Sequence, residues 1–284
     1  MRRYIIIIIA LYPLLAFAAG DTLRILCIGN SFSVDAVEQE LLPLAEANGV
    51  TLIAGNLYIG GCSLERHANN IKDLLPAYSY RDLQNGCREV HEDVRLNDAL
   101  RFREWDIVTM QQASHYSGQW ETYEPWLGIL IDSVKTILPH ARLAWHMTWA
   151  YSSDSDHGGF RNYGNNQQQM YAQICACTKR VMTEYPFDIL IPVGTAIQNG
   201  RKTSLGDTFC RDGFHLNLNY GRYLAACVWL EALTGIRPHN TGSTKILYYG
   251  SKEPLTVEDS RDIRSRCTER LCRSAAHKAI NKPL

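Results

Sequence analysis

The feature that most constrains the fold is an alternation of short apolar runs with longer segments of helical patterning. Strands are expected at Leu23–Ile28, Thr51–Tyr58, Asp106–Met110, Arg142–Thr148 and Phe187–Ile191. Helices are expected at Val34–Asn48, Leu64–Leu75, Glu121–Leu138, Tyr163–Tyr185 and Tyr220–Thr234, the last closed by Gly235. Strands separated by helices form a parallel sheet covered on both faces. Right-handed crossovers then bring the C-terminal strand ends to one edge, where open α/β sheets bind their ligands. The expected class is therefore α/β, with a parallel sheet of about five strands.

A chain of 284 residues, 46% hydrophobic, can build this around one core. Residues 20–240 read as one domain. Residues 241–284 read as a C-terminal extension, in which a charged helix begins near the Thr256/Asp259 capping pair and packs on the same domain. The polar stretch 76–97 contains an Asn-Gly turn signal and reads as a hairpin or surface excursion. Residues 151–162 read as a Gly/Ser/Asp-rich loop.

The first residues, "MRRYIIIIIALYPLLAFAAG", have two arginines, an apolar stretch and an Ala16-Phe17-Ala18 cleavage pattern. This is the layout of a secretory signal spanning residues 1–19, and the protein is expected to be exported, periplasmic or secreted. Its apolar stretch falls short of the ~20 residues of a membrane span, so no span is expected in the mature chain. Lys+Arg and Asp+Glu both number 29, and cleavage would remove two arginines and no acid. Without a basic stripe, nucleic acid is not an expected partner. Nine cysteines in an exported chain invite disulfides and leave at least one thiol over. Cys27 and Cys227 lie in apolar runs and read as buried thiols, while the pairing of the others stays open. No cysteine spacing matches a zinc site, and no metal or cofactor is expected.

The chemistry sits in the residues just past each strand. The first strand ends in Gly29-Asn30-Ser31, the second in Ile59-Gly60-Gly61-Cys62-Ser63, and the third in Gln111-Gln112-Ala113-Ser114-His115. "CRDGFHLN" sets Asp212 and His215 just before the last core helix. A serine, glycine N–H groups, a side-chain amide and an Asp/His pair supply a nucleophile, oxyanion donors, a base and its orienter for acyl transfer. Ser31 or Ser33 has a blander alternative, as the cap of the following helix.

This order of elements resembles the SGNH (GDSL-type) hydrolase superfamily. The phrases "IGNSFS", "YIGGCSLERH", "QQASHYSG", "HMTWAY", "IPVGTAIQNGR" and "RDGFHLN" more narrowly resemble an uncharacterised exported bacterial branch of it. The likeness runs from about Leu23 to Gly235. It implies a flavodoxin-like three-layer α/β/α sandwich and serine-dependent ester hydrolysis. On the matching positions, Ser31 is the nucleophile and an oxyanion donor, His215 the base and Asp212 its orienter. Gly61, or Gly60, supplies a second oxyanion N–H. Most members carry Gly-x-Asn-Asp in the third block, where this chain has Gln-Gln-Ala-Ser-His. Gln112 is the candidate third donor, with Gln111 and His115 as alternatives.

The expected substrate is a small-molecule or oligosaccharide ester, first of all an acetylated glycan. Tyr58, Tyr116, Trp120, Trp149, Tyr151 and Tyr163 fall where loops would rim the edge. Asn30, Trp149 and Gln198 are candidate substrate-binding residues. His146 is a weaker pocket candidate, with strand-core packing the better reading. The alternatives are an esterase acting on lipid or other acyl esters, a glycan-binding protein without turnover, and a structural exported protein.

Overall fold

The computed structural model describes residues 22–239 and 264–284; the expected signal segment and the Thr256/Asp259 pair lie outside the described residues. One sheet has the order β4-β3-β2-β1-β5-β6-β7. The strands are β1 (Thr22–Gly29), β2 (Thr51–Tyr58), β3 (Tyr78–Gln84), β4 (Cys87–Val94), β5 (Ile107–Met110), β6 (Arg142–His146) and β7 (Ile189–Ile191). The expected strands are present, and β2, β1, β5, β6 and β7 pair in parallel. The sheet is larger than about five strands because the 76–97 segment extends it as a hairpin. β3 pairs antiparallel with β2, and β4 with β3. Asn85 and Gly86 turn the hairpin with φ of 52° and 72°, the positive pair that a tight two-residue connection requires. The edge strand β4 carries Arg88, Glu89, Glu92 and Asp93, charges that discourage pairing with another sheet edge.

The helices are α1 (Ser31–Val37), α2 (Leu41–Ala47), α3 (Leu64–Lys72), α4 (Leu96–Ala99), α5 (Trp126–Ile137), α6 (Gln167–Glu184), α7 (Val193–Arg201), α8 (Gly221–Thr234) and α9 (Arg266–Asn281). α1, α2, α7 and α8 pack together, with α9 laid over α7 and α8, while α3 packs with α5 in the other helical layer. The result is the three-layer α/β/α arrangement.

Two expectations change in detail. Val34–Asn48 is two helices rather than one. Pro43 has no N–H for the Gln39 carbonyl, and its ring would collide with that carbonyl in a continuous helix. The chain breaks after Val37 and restarts so that Pro43 falls in the first turn of α2, where no intrahelical donor is needed. α7 is a helix that patterning did not announce. It is only 9 residues long and holds Gly194 and Gly200, poor helix formers that weaken its local signal.

The C-terminal helix packs on the same body. It buries Cys272, Ala275, Ala276 and Ala279, a helical spacing of small side chains that lets it approach closely. Arg264, 2% exposed, pairs with Glu40 at 2.7 Å, and His277 Nδ1 lies 2.5 Å from Glu231 Oε1. All nine cysteines are unpaired, with Cys27, Cys62, Cys177, Cys227 and Cys272 buried.

β1 lies between β2 and β5, and the chain crosses to β2 first and to β5 later. This reversal makes the C-terminal ends of β1 and β5 the switch point of the sheet, where a crevice forms. Ile28 stands beside Met110 in the register, so Gly29-Asn30-Ser31 and Gln111-Gln112 leave the sheet side by side.

Candidate active site

Ser31 is the first residue of α1, so its N–H has no intrahelical acceptor. Asn30 is the cap: its Oδ1 accepts from the Phe32 N–H at 3.0 Å. Neither serine is used for capping. Ser33 is buried, its Oγ 2.7 Å from Asn30 O and 2.8 Å from Asn56 Oδ1. Gly29 is required for space rather than for a left-handed turn. A Cβ there would fall 2.5 Å from Ser33 Oγ and 3.3 Å from Gln111 Oε1.

His215 comes to Ser31 from the loop between α7 and α8. Its Nε2 is 2.8 Å from Ser31 Oγ, and its Nδ1 is 2.7 Å from Asp212 Oδ2. A carboxylate only accepts, so the Nδ1 proton is assigned to the Asp212 contact. Nε2 is then left as the acceptor for the Ser31 hydroxyl. Asp212 Oδ1 accepts from the backbone N–H groups of His215 at 2.7 Å and Phe214 at 3.2 Å. Gly213 makes this tight return with φ of 84°. Burial pushes the Asp212 pKa up, but the hydrogen bonds and charge of His215 and the Phe214 N–H hold it below the ordinary carboxylate value.

The turn after β2 meets the same place. The Cys62 N–H donates to Ile59 O at 3.2 Å, and Gly61, exposed, takes φ of 60°. Asn30 Nδ2 donates to Cys62 O at 3.0 Å, which ties this turn to the residue before Ser31. Behind it, Gln111 Nε2 donates to Asn30 Oδ1 at 2.8 Å, and His146 Nδ1 contacts Gln111 Oε1 at 2.8 Å. Asn30, Gln111 and His146 are all buried. Burial pulls the His146 pKa down to about 3, so the ring is neutral and the proton belongs on Nδ1.

Four expected site residues are therefore placed differently from their sequence reading. Gln112 is 1% exposed and its carboxamide is committed. Oε1 accepts from the N–H groups of Leu64 (3.0 Å) and Ala113 (2.8 Å), while Nε2 donates to Thr122 O (2.9 Å) and Oγ1 (3.1 Å). It knits loops together and has no N–H to spare as a third oxyanion donor, whereas Gln111 gives one N–H to Asn30 Oδ1 and its oxygen to His146. Trp149 is fully buried, stacked on Phe32 at 4.1 Å, and its Nε1 donates to Phe214 O at 2.7 Å. It supports the His215 loop from beneath instead of facing a ligand. Gln198 lies inside α7, 3% exposed, accepting from Arg201. Asn30, with both ends of its amide engaged, is likewise a brace. Tyr151 and Tyr163 belong to the core, whereas Tyr58, Tyr116 and Trp120 are half-buried.

Sequence reasoning named His115 and Tyr116 but missed the row of rings that leads from them through His157 and Phe214 to His215. Phe214 packs against His215 at 4.1 Å and against His157 at 4.6 Å; His115 lies 6.1 Å from His157 and 4.0 Å from Tyr116. These side chains are half-buried. Burial lowers the pKa of both His115 and His157, aided by their mutual charge at His115 and by the charge of His215 at His157. The row as such was not legible, because its members come from three loops.

The crystal structure of a DUF4886 family protein from Bacteroides uniformis is 40% identical to this chain. It covers 93% of this chain and 96% of its own, with a TM-score of 0.83. A provisionally assigned SGNH hydrolase from Slackia heliotrinireducens is 22% identical over 75% of this chain and 100% of its own, with a TM-score of 0.53. A provisionally assigned GDSL-like lipase from Parabacteroides merdae is 18% identical over 75% of this chain and 95% of its own, with a TM-score of 0.51. At these identities the last two establish the shared SGNH/GDSL-type fold. No curated protein matches the sequence. The model of a domain of unknown function, DUF4886, matches residues 24–245, and with it the chain belongs to the DUF4886 family.

Proposed function

We propose that this chain is an exported serine-dependent hydrolase of carboxylic esters that removes acetyl or similar short acyl groups from carbohydrate. The observation that carries the reading is the line Asp212–His215–Ser31, with contacts of 2.7 and 2.8 Å in the polarity that ester hydrolysis needs. In the proposed reaction Ser31 Oγ attacks the ester carbonyl while its proton passes to His215 Nε2. The imidazolium is held by the ionised Asp212 carboxylate. The oxyanion is met by the backbone N–H groups of Ser31 and Gly61. His215 then protonates the leaving alcohol, and water hydrolyses the acyl-serine by the reverse proton movement. The signal-like residues 1–19 support export. Carbohydrate is favoured by the rings of Phe214, His157, His115 and Tyr116, a row that starts against His215, since ring faces pack well against sugars.

The test is acetate release from acetylated oligosaccharides and from p-nitrophenyl acetate, with Ser31→Ala alongside. Turnover by the wild type, fluorophosphonate labelling at Ser31, and loss of both in the variant with an unchanged circular-dichroism spectrum are expected. An inert, unlabelled wild type that retains acetylated glycan unchanged would replace the reading with glycan binding without turnover.

A further inference from the structure

We infer that Asp35 is a positioning residue, whose carboxylate sets the separation of His215 from Ser31; the inference rests on the hydrolase reading above. Ser31 and His215 are 184 positions apart, belong to different elements, and must meet within hydrogen-bonding distance. Asp35 lies four residues after Ser31 on α1, one helical turn away and on the same face. Its side chain is 1% exposed, and both its oxygens are used on the loop that carries His215. Oδ2 accepts from the backbone N–H of Leu216, the residue after His215, at 2.7 Å. Oδ1 accepts from Arg211 Nη1 at 3.1 Å and from Arg222 Nη2 at 2.7 Å.

The two arginines complete a frame around the loop. Arg211 stands immediately before Asp212, and its backbone N–H donates to His215 O at 2.8 Å. Its guanidinium also donates to Leu216 O. Arg222 is in the first turn of α8, and its Nη1 donates to Gln39 Oε1 at 2.9 Å. Cys210 and Leu216 close the base of the loop in a β-bridge, and Asn217 N–H donates to Phe209 O at 2.8 Å. Asp212 and His215 therefore project from a loop whose two ends are both fastened to Asp35. The Asp212–His215 contacts are internal to that loop, so they hold the imidazole's tautomer without fixing where the loop sits. Asp35 is the charged tie that refers the loop to the serine helix, beside the ring packing of Phe32 with Trp149 and His215. A displacement of the base by about 1 Å is enough to cost on the order of 100-fold in rate.

The experiment uses Asp35→Asn and Arg211→Met in the full chain. Asparagine keeps the shape but removes the charge and places an NH₂ or an uncharged oxygen against the Leu216 N–H. Methionine keeps the stem of a side chain that is 36% exposed while removing the guanidinium between loop and helix. For each folded variant, p-nitrophenyl acetate kinetics and the second-order rate of fluorophosphonate labelling are measured. The expected result is a fall in kcat of at least tenfold, KM within twofold of wild type, and a parallel fall in labelling rate, with the circular-dichroism spectrum unchanged. Arg211→Lys, which restores a cation, should recover part of the labelling rate. Folded variants with kcat and labelling within twofold of wild type overturn the inference while leaving the hydrolase reading intact, as does a change confined to KM. Should Asp35→Asn fail to fold, Arg211→Met decides alone by the same criteria. A wild type that neither turns over ester nor labels overturns both readings.

Discussion

Replacing His146 by asparagine should remove a defined share of the protein's acid sensitivity. His146 and His67 are both fully buried, and burial pulls each pKa from 6.5 down to about 3. Neutral in the fold, both accept a proton when unfolded below pH 6.5. Their contribution is therefore neutral above pH 6.5, and stability falls as the pH drops toward 3. Between pH 7 and pH 5 each unfolded histidine gains about 1.4 log units of proton binding, and one unit corresponds to about 1.36 kcal/mol. Each ring thus costs about 2 kcal/mol over this interval, and the two together about 4 kcal/mol. Asparagine can present an amide N–H to Gln111 Oε1 where His146 Nδ1 now stands, which limits the loss at pH 7 to packing. The assay is urea unfolding of wild type and His146→Asn at pH 7 and pH 5. Taking the difference between the two proteins cancels other titrating groups, among them His115, His157 and Glu40. The variant's stability should drop about 2 kcal/mol less than that of wild type between the two pH values. An equal drop in both would refute the claim that His146 is held neutral by burial.

Two further outcomes come from the packing. Gln112→Met fills a similar volume but abandons the N–H groups of Leu64 and Ala113 and the acceptors on Thr122. At about 1–3 kcal/mol for each buried group left unsatisfied, it should lower stability by at least 2 kcal/mol, read from urea unfolding. Its fluorophosphonate labelling rate per folded molecule should stay within threefold of wild type; a specific loss of labelling at unchanged stability would restore Gln112 as an oxyanion donor. Gly29→Ala places a methyl 2.5 Å from Ser33 Oγ, so it should cost about 1–3 kcal/mol and lower Tm, while Gly61→Ala, with nothing within 4 Å of its Cβ but a φ of 60°, should cost less.

The strand ends were readable because their chemistry is local. The first three apolar runs stop at a glycine or amide, and Asp212 and His215 are three residues apart, close enough for one turn to bring them together. The hairpin was announced by Asn85-Gly86. α7 was hidden because a short helix with two glycines carries a weak local signal, and the α1–α2 break was written only in Pro43. The roles of Gln112, Trp149 and Gln198 were misjudged for another reason. A polar or aromatic side chain at a strand end looks the same whether it faces a ligand or an internal partner. Only the partners decide, and Thr122, Phe32 with Phe214, and Arg201 supply them. Asp35 passes for an ordinary helix acid because its partners lie 176 to 187 positions away.

The chain His146–Gln111–Asn30–Cys62 O has a consequence for how the ends of four segments behave. Every link donates in the same sense, from the β6 imidazole through two amides to the carbonyl beside Gly61. Aligned dipoles of this kind polarise and strengthen one another. No amide in the series can flip without setting N–H against N–H or oxygen against oxygen at its neighbour, so the orientations are chosen together. The turn bearing Gly61 thus takes its bearing relative to Ser31 from a histidine on β6, which is separated from β1 by β5. The geometry at the sheet edge is in this sense a collective property, stiff against small displacements and prone to fail as a unit when any one link is cut.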